Sequence, residues 1–220
     1  MFLYNIYFIF KSMRILELFK GSGSITKYFI DNDDVEVISL DILEKYNPTI
    51  CCDIMDFDYK QYPVGYFEII WASPECKIYS SFQYIHIGIG KKHKDKNDLE
   101  NKQKHDSKFI NKTIEIIEYL KPKNYFIENP LGSNIWKYIE NENYIDKYIN
   151  IDYCYFGYDY KKPTKILTQK QLENKRCSCK NHKINIGATR KNMEKKYDQV
   201  KYNLLQRYSI PPKLLDYLFN

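Results

Sequence analysis

No run of apolar residues in this chain is long enough to cross a bilayer. The one apolar stretch at the start, Met1 to Phe10, has neither a basic n-region nor a small-residue cleavage site. It reads as an extension ahead of a domain beginning near Met13, and no membrane partner is expected. Glycine and proline, at eight each, are too scarce for collagen-like or low-complexity classes. Cysteine occurs six times at irregular spacing, which excludes a disulfide framework and predicts reduced thiols in an intracellular, non-secreted protein. No internal repeat is visible.

What the chain does have is enough apolar material for a core: 44% hydrophobic residues against 28% charged in 220 residues. Tyrosine, at 22, is in excess alongside many Lys, Asn and Ile, and reads as AT-rich coding rather than chemistry. The net charge of +6 is unevenly placed. Between Leu167 and Asn203 ten Lys or Arg face three acids, a local +7 that leaves −1 for the rest. That distribution predicts a polyanion-facing appendage on a near-neutral domain.

Short apolar runs alternate with helical patterns. Met13–Phe19 stops at Lys20-Gly21-Ser22-Gly23-Ser24, a helical stretch follows to Ile30, and Val35–Leu40 ends in Asp41. Tyr66–Trp71 ends in Ala72-Ser73-Pro74; Phe109–Leu120 has helical spacing; Asn124–Ile127 ends in Glu128-Asn129-Pro130. This alternation predicts an α/β fold with a doubly wound, mainly parallel sheet. In such sheets ligands bind beyond the carboxyl ends of the strands, where the chemically able residues collect here. The charged stretch Lys91–Lys108, with seven lysines, four acids and two histidines, reads as a mobile loop.

Gly21 and Gly23 permit a tight turn before a helix N-terminus, but the third glycine of a dinucleotide fingerprint is missing. Asp41, eighteen residues after Gly23, stands where a carboxylate meets ribose hydroxyls, and Asp53 where one meets an adenine amino group. The ordered set points to a nucleoside-containing cofactor.

With these motifs the chain resembles the DNA cytosine-C5 methyltransferases, particularly the short type of phages and large DNA viruses. Glu17-Leu-Phe-Lys-Gly-Ser-Gly23 resembles the family's S-adenosylmethionine motif, and Ser73-Pro-Glu-Cys-Lys-Ile-Tyr-Ser80 its nucleophile motif. Glu128-Asn129-Pro130 resembles the Glu-Asn-Val motif, and Phe156 to Lys165 the later segment whose basic residues approach substrate. Tyr208 to Tyr217 is similar to the C-terminal helix that completes the cofactor pocket. The resemblance implies a Rossmann-like methyltransferase domain (13–166) after the extension (1–12), a short basic recognition-like segment (167–203) and a returning C-terminal helix (204–220). It also implies S-adenosylmethionine as cofactor, held by Glu17, Phe19, Gly21, Gly23, Asp41, Ile42, Asp53 and Pro74. DNA is the implied partner, contacted by Ser80, Lys161, Lys162 and Lys165. Such a short recognition segment implies either loose specificity or help from a protein partner or a second copy.

The chemistry explains why these residue types occur together. Cytosine C5 becomes nucleophilic only after a thiolate adds at C6, the role implied for Cys76. Glu128, as a protonated carboxyl, would bond N3, and Asn129 would hold the exocyclic amino group or the Glu128 loop. The target base must leave the stack. Glu75 stands where the family has proline and Lys77 where it has glutamine; a carboxylate beside Cys76 raises the thiol pKa, and nearby lysines offset it. Lysines replace the later arginines, keeping charge without the planar fork. Two alternatives remain: a catalytically impaired DNA-binding relative, favoured by Glu75, and an amino-group methyltransferase on adenine N6 or cytosine N4. The latter's motif fails at the last two positions of Ser73-Pro-Glu-Cys76. Cys51, Cys52 and Cys154 read as packing residues. Cys177, Cys179 and His182 offer three zinc-type ligands, Cys154 being a remote fourth, and without a clean second pair no metal is expected.

Overall fold

The computed structural model describes residues 13–178, 184–185 and 204–220. The expected N-terminal extension and most of the basic segment, including Cys179 and His182, lie outside these residues.

Seven strands form one sheet: β1 (Met13–Leu18), β2 (Val35–Asp41), β3 (Ile50–Cys51), β4 (Ile69–Ala72), β5 (Asn124–Pro130), β6 (Tyr148–Asp152) and β8 (Pro163–Leu167). A short β7 (Tyr160–Lys161) pairs with β9 (Ile184–Asn185) in a second sheet. The main order is β3-β2-β1-β4-β5-β8-β6, and only β8 runs against its neighbours. Successive side chains of a strand point to opposite faces, and here both faces are apolar. Ile15, Trp71, Phe126 and Ile166 pack on one side; Leu16, Leu18, Ile70, Tyr125 and Ile127 pack on the other. Near-continuous apolar runs are what a parallel sheet buried on both faces requires. The doubly wound α/β expectation holds.

Helices α1 (Ser24–Tyr28), α2 (Lys96–Asp106), α3 (Lys108–Leu120), α4 (Leu204–Tyr208) and α5 (Pro212–Phe219) complete the fold. Ile25 of α1 and Leu214, Leu215 and Leu218 of α5 cover the first face, while Ile110, Ile114 and Ile117 of α3 cover the second. The C-terminal helix is fastened to α1 by Tyr28 Oη donating to Asp216 (2.5 Å) and by Phe219 stacked on Phe29. Among the described residues no helix is long and apolar enough to cross a membrane.

Residues 96–106 are helical, not the mobile loop their charge suggested. Asp95 Oδ1 caps the first turn by accepting from the Asp98 amide (2.8 Å), and Lys96–Glu100 and Asp98–Lys102 pair at i,i+4. The inward face is carried by Leu99 and Gln103 alone, so hydrophobic periodicity could not report it. Strand β4 begins three residues later than its apolar run. Tyr66 and Phe67 instead form an aromatic cluster with Tyr62, and Glu68 Oε2 accepts from the Arg14 amide (2.7 Å).

The chain switches direction across the sheet between β1 and β4. The crevice of such a sheet opens at that switch point, and the loops Phe19–Gly23 and Ser73–Cys76 leave from it.

Candidate active site

The first rim of the crevice is built by backbone. Phe19, Gly21 and Gly23 all have positive φ (58°, 48° and 66°), which curls the chain immediately after β1. Gly23 precedes α1 and offers no capping side chain, so Glu17 supplies the cap from inside the sheet. Its buried carboxylate accepts from the Ile25 and Thr26 amides (3.1 and 3.2 Å) and from the Thr26 hydroxyl. Burial nevertheless raises the Glu17 pKa. Asp41 closes the neighbouring strand: Oδ2 accepts from the Gly21 amide and Oδ1 from the Leu43 amide, both at 2.9 Å. Asp53 Oδ1 accepts from the Met55 amide (2.9 Å). Ile42, next to Asp41, leaves 60% of its surface in solvent at this strand end. Loop backbone, the Asp41 and Asp53 carboxylates and an exposed aliphatic side chain thus collect beyond the ends of β1, β2 and β3.

The second rim is built by side chains from distant strands. Pro74 is buried, and its carbonyl accepts from Asn129 Nδ2 (2.8 Å), which ties the end of β5 to the loop that carries Cys76. Asn129 Oδ1 is buried without a hydrogen-bond partner. Glu128 is 6% exposed; its Oε1 accepts from the hydroxyl of fully buried Tyr153 (3.2 Å), and Lys162 Nζ stands 3.5 Å away. Lys162 also lies 4.5 Å over the Tyr153 ring. Burial and the Glu128 charge push the Tyr153 pKa well above its ordinary value, so the phenol is a fixed donor. The Cys76 thiol is also pushed up, first by burial and then by Glu128, with Lys162 opposing and Glu75 contributing least. Glu75 thus acts in the direction its sequence position predicts, and the offsetting lysine is Lys162 rather than Lys77.

The loop after Cys76 is anchored rather than free. Gln103 Nε2 of α2 donates to the Ile78 carbonyl (2.9 Å), and Gln83 Nε2 donates to that of Lys77 (2.7 Å). Gln83 Oε1 lies 3.0 Å from Nε2 of fully buried His93. Ser80 caps the following turn by accepting from the Phe82 amide (3.3 Å). Lys161 Nζ is 3.7 Å from buried Asp152. Lys165 lies over the Tyr148 ring (4.0 Å) and near Trp136 (5.4 Å), with its pKa lowered by burial. Trp136 packs on the α3 face and Tyr153 on the α5 face, so Lys162 and Lys165 serve opposite sides of the sheet. Lys162 is the basic residue brought to Cys76 and Glu128.

Sequence reasoning missed Tyr153. No spacing marks it, and a chain with 22 tyrosines hides one more.

No protein-family model matches the chain. A protein of Frog virus 3 (isolate Goorha), named a probable DNA (cytosine-5)-methyltransferase, is 33% identical over 162 residues, spanning 71% of this chain and 70% of that protein. Among solved structures, a methyltransferase of Entamoeba histolytica matches with a TM-score of 0.53 at 18% identity. That match covers 75% of this chain and 57% of the other, so the chain spans a little over half of that structure's length. At that identity the likeness speaks for the fold alone.

Proposed function

The chain belongs to the DNA (cytosine-5)-methyltransferase family, and from that premise we propose that it methylates C5 of cytosine in DNA through a covalent Cys76 adduct at C6 of an extruded base. The observation that carries this reading is the meeting of the Cys76 thiol, the Glu128 carboxyl and the Lys162 ammonium at neighbouring strand ends. A thiol alone is commonplace; a thiol coupled to a buried carboxyl and a cation is a site for adding to a polar ring and stabilising the charge that results.

The residues of the first rim fit S-adenosylmethionine. Gly21 and Gly23 at positive φ allow close backbone approach. Asp41 retains acceptor capacity toward ribose hydroxyls after taking two amides. Ile42 offers its exposed face to adenine, and Asp53 a carboxylate to the amino group. Bound there, the cofactor supplies an electrophilic methyl group.

The protein's own residues do the rest. Cys76, as thiolate, forms the S–C6 bond, and the displaced ring electrons move toward N3, which takes a hydrogen bond from the Glu128 carboxyl. Tyr153 donates to Oε1 of Glu128, which leaves Oε2 to face the base. Lys162 favours the thiolate. Asn129 holds the Pro74 carbonyl and with it the loop that aims Cys76. After methylation the C5 proton passes to solvent water, the C5–H pair becomes the C5–C6 double bond, and the S–C6 pair leaves with the Cys76 thiolate.

Bisulfite sequencing of DNA from cells expressing the protein tests the reading, with Cys76→Ala as control. Conversion-resistant cytosines should appear with the unmutated chain only, and 5-fluorocytosine DNA should trap that chain covalently. Methylated cytosines that persist with Cys76→Ala would overturn it.

A further inference from the structure

The loop that carries Cys76 is held on both sides by buried side-chain amides. Asn129 donates to the Pro74 carbonyl before the thiol (2.8 Å); after it, Gln83 donates to the Lys77 carbonyl (2.7 Å) and Gln103 to that of Ile78 (2.9 Å). Gln103 is fixed by the Tyr138 hydroxyl, which donates to its Oε1 (3.0 Å). Gln83 is fixed by cations and a histidine. Its Oε1 lies 3.0 Å from Nε2 of His93 and 3.4 Å from Lys92 Nζ, and Lys102 Nζ stands 3.5 Å from His93 Nδ1. A carbonyl only accepts, so the NH2 end of the Gln83 amide meets Lys77 and its oxygen meets His93. The His93 proton is therefore on Nε2. An ammonium only donates, so Nδ1 is the bare nitrogen, and both sides of the ring require the same tautomer.

We propose that His93 is a positioning residue for Cys76, acting through the Gln83 amide; the inference rests on Cys76 as the nucleophile. Donation runs one way, from Lys102 to His93, from His93 to Gln83, and from Gln83 to the carbonyl next to the thiol's residue. Turning Gln83 over would set its NH2 against an N–H and an ammonium, and its oxygen against a carbonyl, so the chain has one arrangement. Its root is firm. Lys102 donates to Asp98 Oδ2 (2.9 Å) and to the Lys92 carbonyl (3.2 Å), and the His93 backbone is bonded to His86 and Gly88 (3.0 and 2.9 Å). Burial, then Lys102 and Lys92, hold the His93 pKa below its ordinary value, with Asp98 opposing and His86 assisting, which keeps the ring in the neutral form the tautomer needs. A core position that needed only filling would take an apolar side chain. A buried polar chain is stable only when every member is satisfied, and this one ends on the loop that aims the thiol. A shift of about 1 Å at a reacting atom costs roughly 10²-fold in rate.

His93→Phe keeps a ring and removes both nitrogens, whereas His93→Gln returns an amide N–H toward Gln83. His93→Phe and Gln83→Met should each lower the single-turnover methylation rate roughly 10- to 100-fold at saturating DNA and cofactor, with little change in KM for DNA, and His93→Gln should recover most of that loss. Alkylation of Cys76 by iodoacetamide, mapped by mass spectrometry, reads the loop without any methyl transfer. It should quicken several-fold in His93→Phe and Gln83→Met and return close to the parent rate in His93→Gln. Nitrogen NMR shifts of the His93 imidazole in the unmutated chain should show the neutral Nε2–H form, a measurement that needs no variant to fold. Alkylation that follows the variants in a parent chain that never methylates DNA would sink the methyl-transfer reading and keep the role of His93. An Nδ1–H tautomer, folded variants whose Cys76 alkylates as in the parent, or a His93→Gln chain no better than His93→Phe would overturn it.

Discussion

The two rims of the crevice hold their carboxylates by opposite means. At the β1–β2 rim, Glu17, Asp41 and Asp53 are gripped mainly by backbone amides within a few residues of a glycine turn or strand end. At the β4–β5 rim, Glu128 is gripped by the side chains of Tyr153 and Lys162, twenty-five and thirty-four residues further along the chain. Amides fix a shape whatever the pH, which suits holding a ligand. Side-chain partners are set by charge and can be tuned, which suits chemistry. On this division, damage to the first rim appears in cofactor affinity and stability, and damage to the second in rate and its pH dependence.

The largest expected effect breaks the second rim. Glu128→Ala should lower the single-turnover methylation rate by roughly 10²- to 10⁴-fold, the usual contribution of a positioned acid. The cofactor dissociation constant, measured by calorimetry, should hardly move. A loss confined to cofactor affinity would put Glu128 on the wrong rim. Next come the mirror-image variants. Asp41→Ala should weaken cofactor binding roughly 10- to 100-fold, the worth of a hydrogen bond to a charged group. Glu17→Ala strands the amides of Ile25 and Thr26 at about 1–3 kcal/mol each, and should lower the melting temperature by roughly 5–15 °C. If Glu17→Ala melts like the parent, the α1 cap is not where this rim gets its rigidity.

Lys162→Met sharpens the comparison through pH. Lys162 pulls the Cys76 pKa down against burial and Glu128. Its removal leaves less thiolate at neutral pH, so the rising limb of rate against pH should move to higher pH. Cofactor affinity should be unchanged. A limb that stays in place would separate the thiol from this cation.

The same division decides what could be read from the residues alone. Met13 to Asp41 is one uninterrupted strand–turn–helix–strand, its glycines and acid at fixed offsets, and its geometry follows the reading closely. The second rim depends on β8 slotting antiparallel between β5 and β6, a pairing no local pattern announces. Cys76 and Glu128 stood out as candidates because each follows an apolar run, Cys76 four residues past the end of β4 and Glu128 within the last half of β5. Lys162 was legible only as one of three basic residues, and Tyr153 not at all. Helix α2 was hidden for a related reason, since its order comes from a cap, charge pairs and two inward residues instead of an apolar stripe.

The smallest effect concerns Glu75, one of the departures from the family's pattern that the sequence shows. It raises the Cys76 pKa, but behind burial and Glu128, and its side chain is exposed to water. Solvent screens an exposed charge far more than a buried one. Glu75→Gln should therefore move the rising limb only slightly, and toward lower pH, the opposite sense to Lys162→Met. Glu75→Pro removes the same charge and also stiffens the loop. If the two variants give the same profile, charge is all that Glu75 contributes. If proline alone raises the rate, the departure acts through loop freedom, against which the Asn129 bond to Pro74 is the existing restraint.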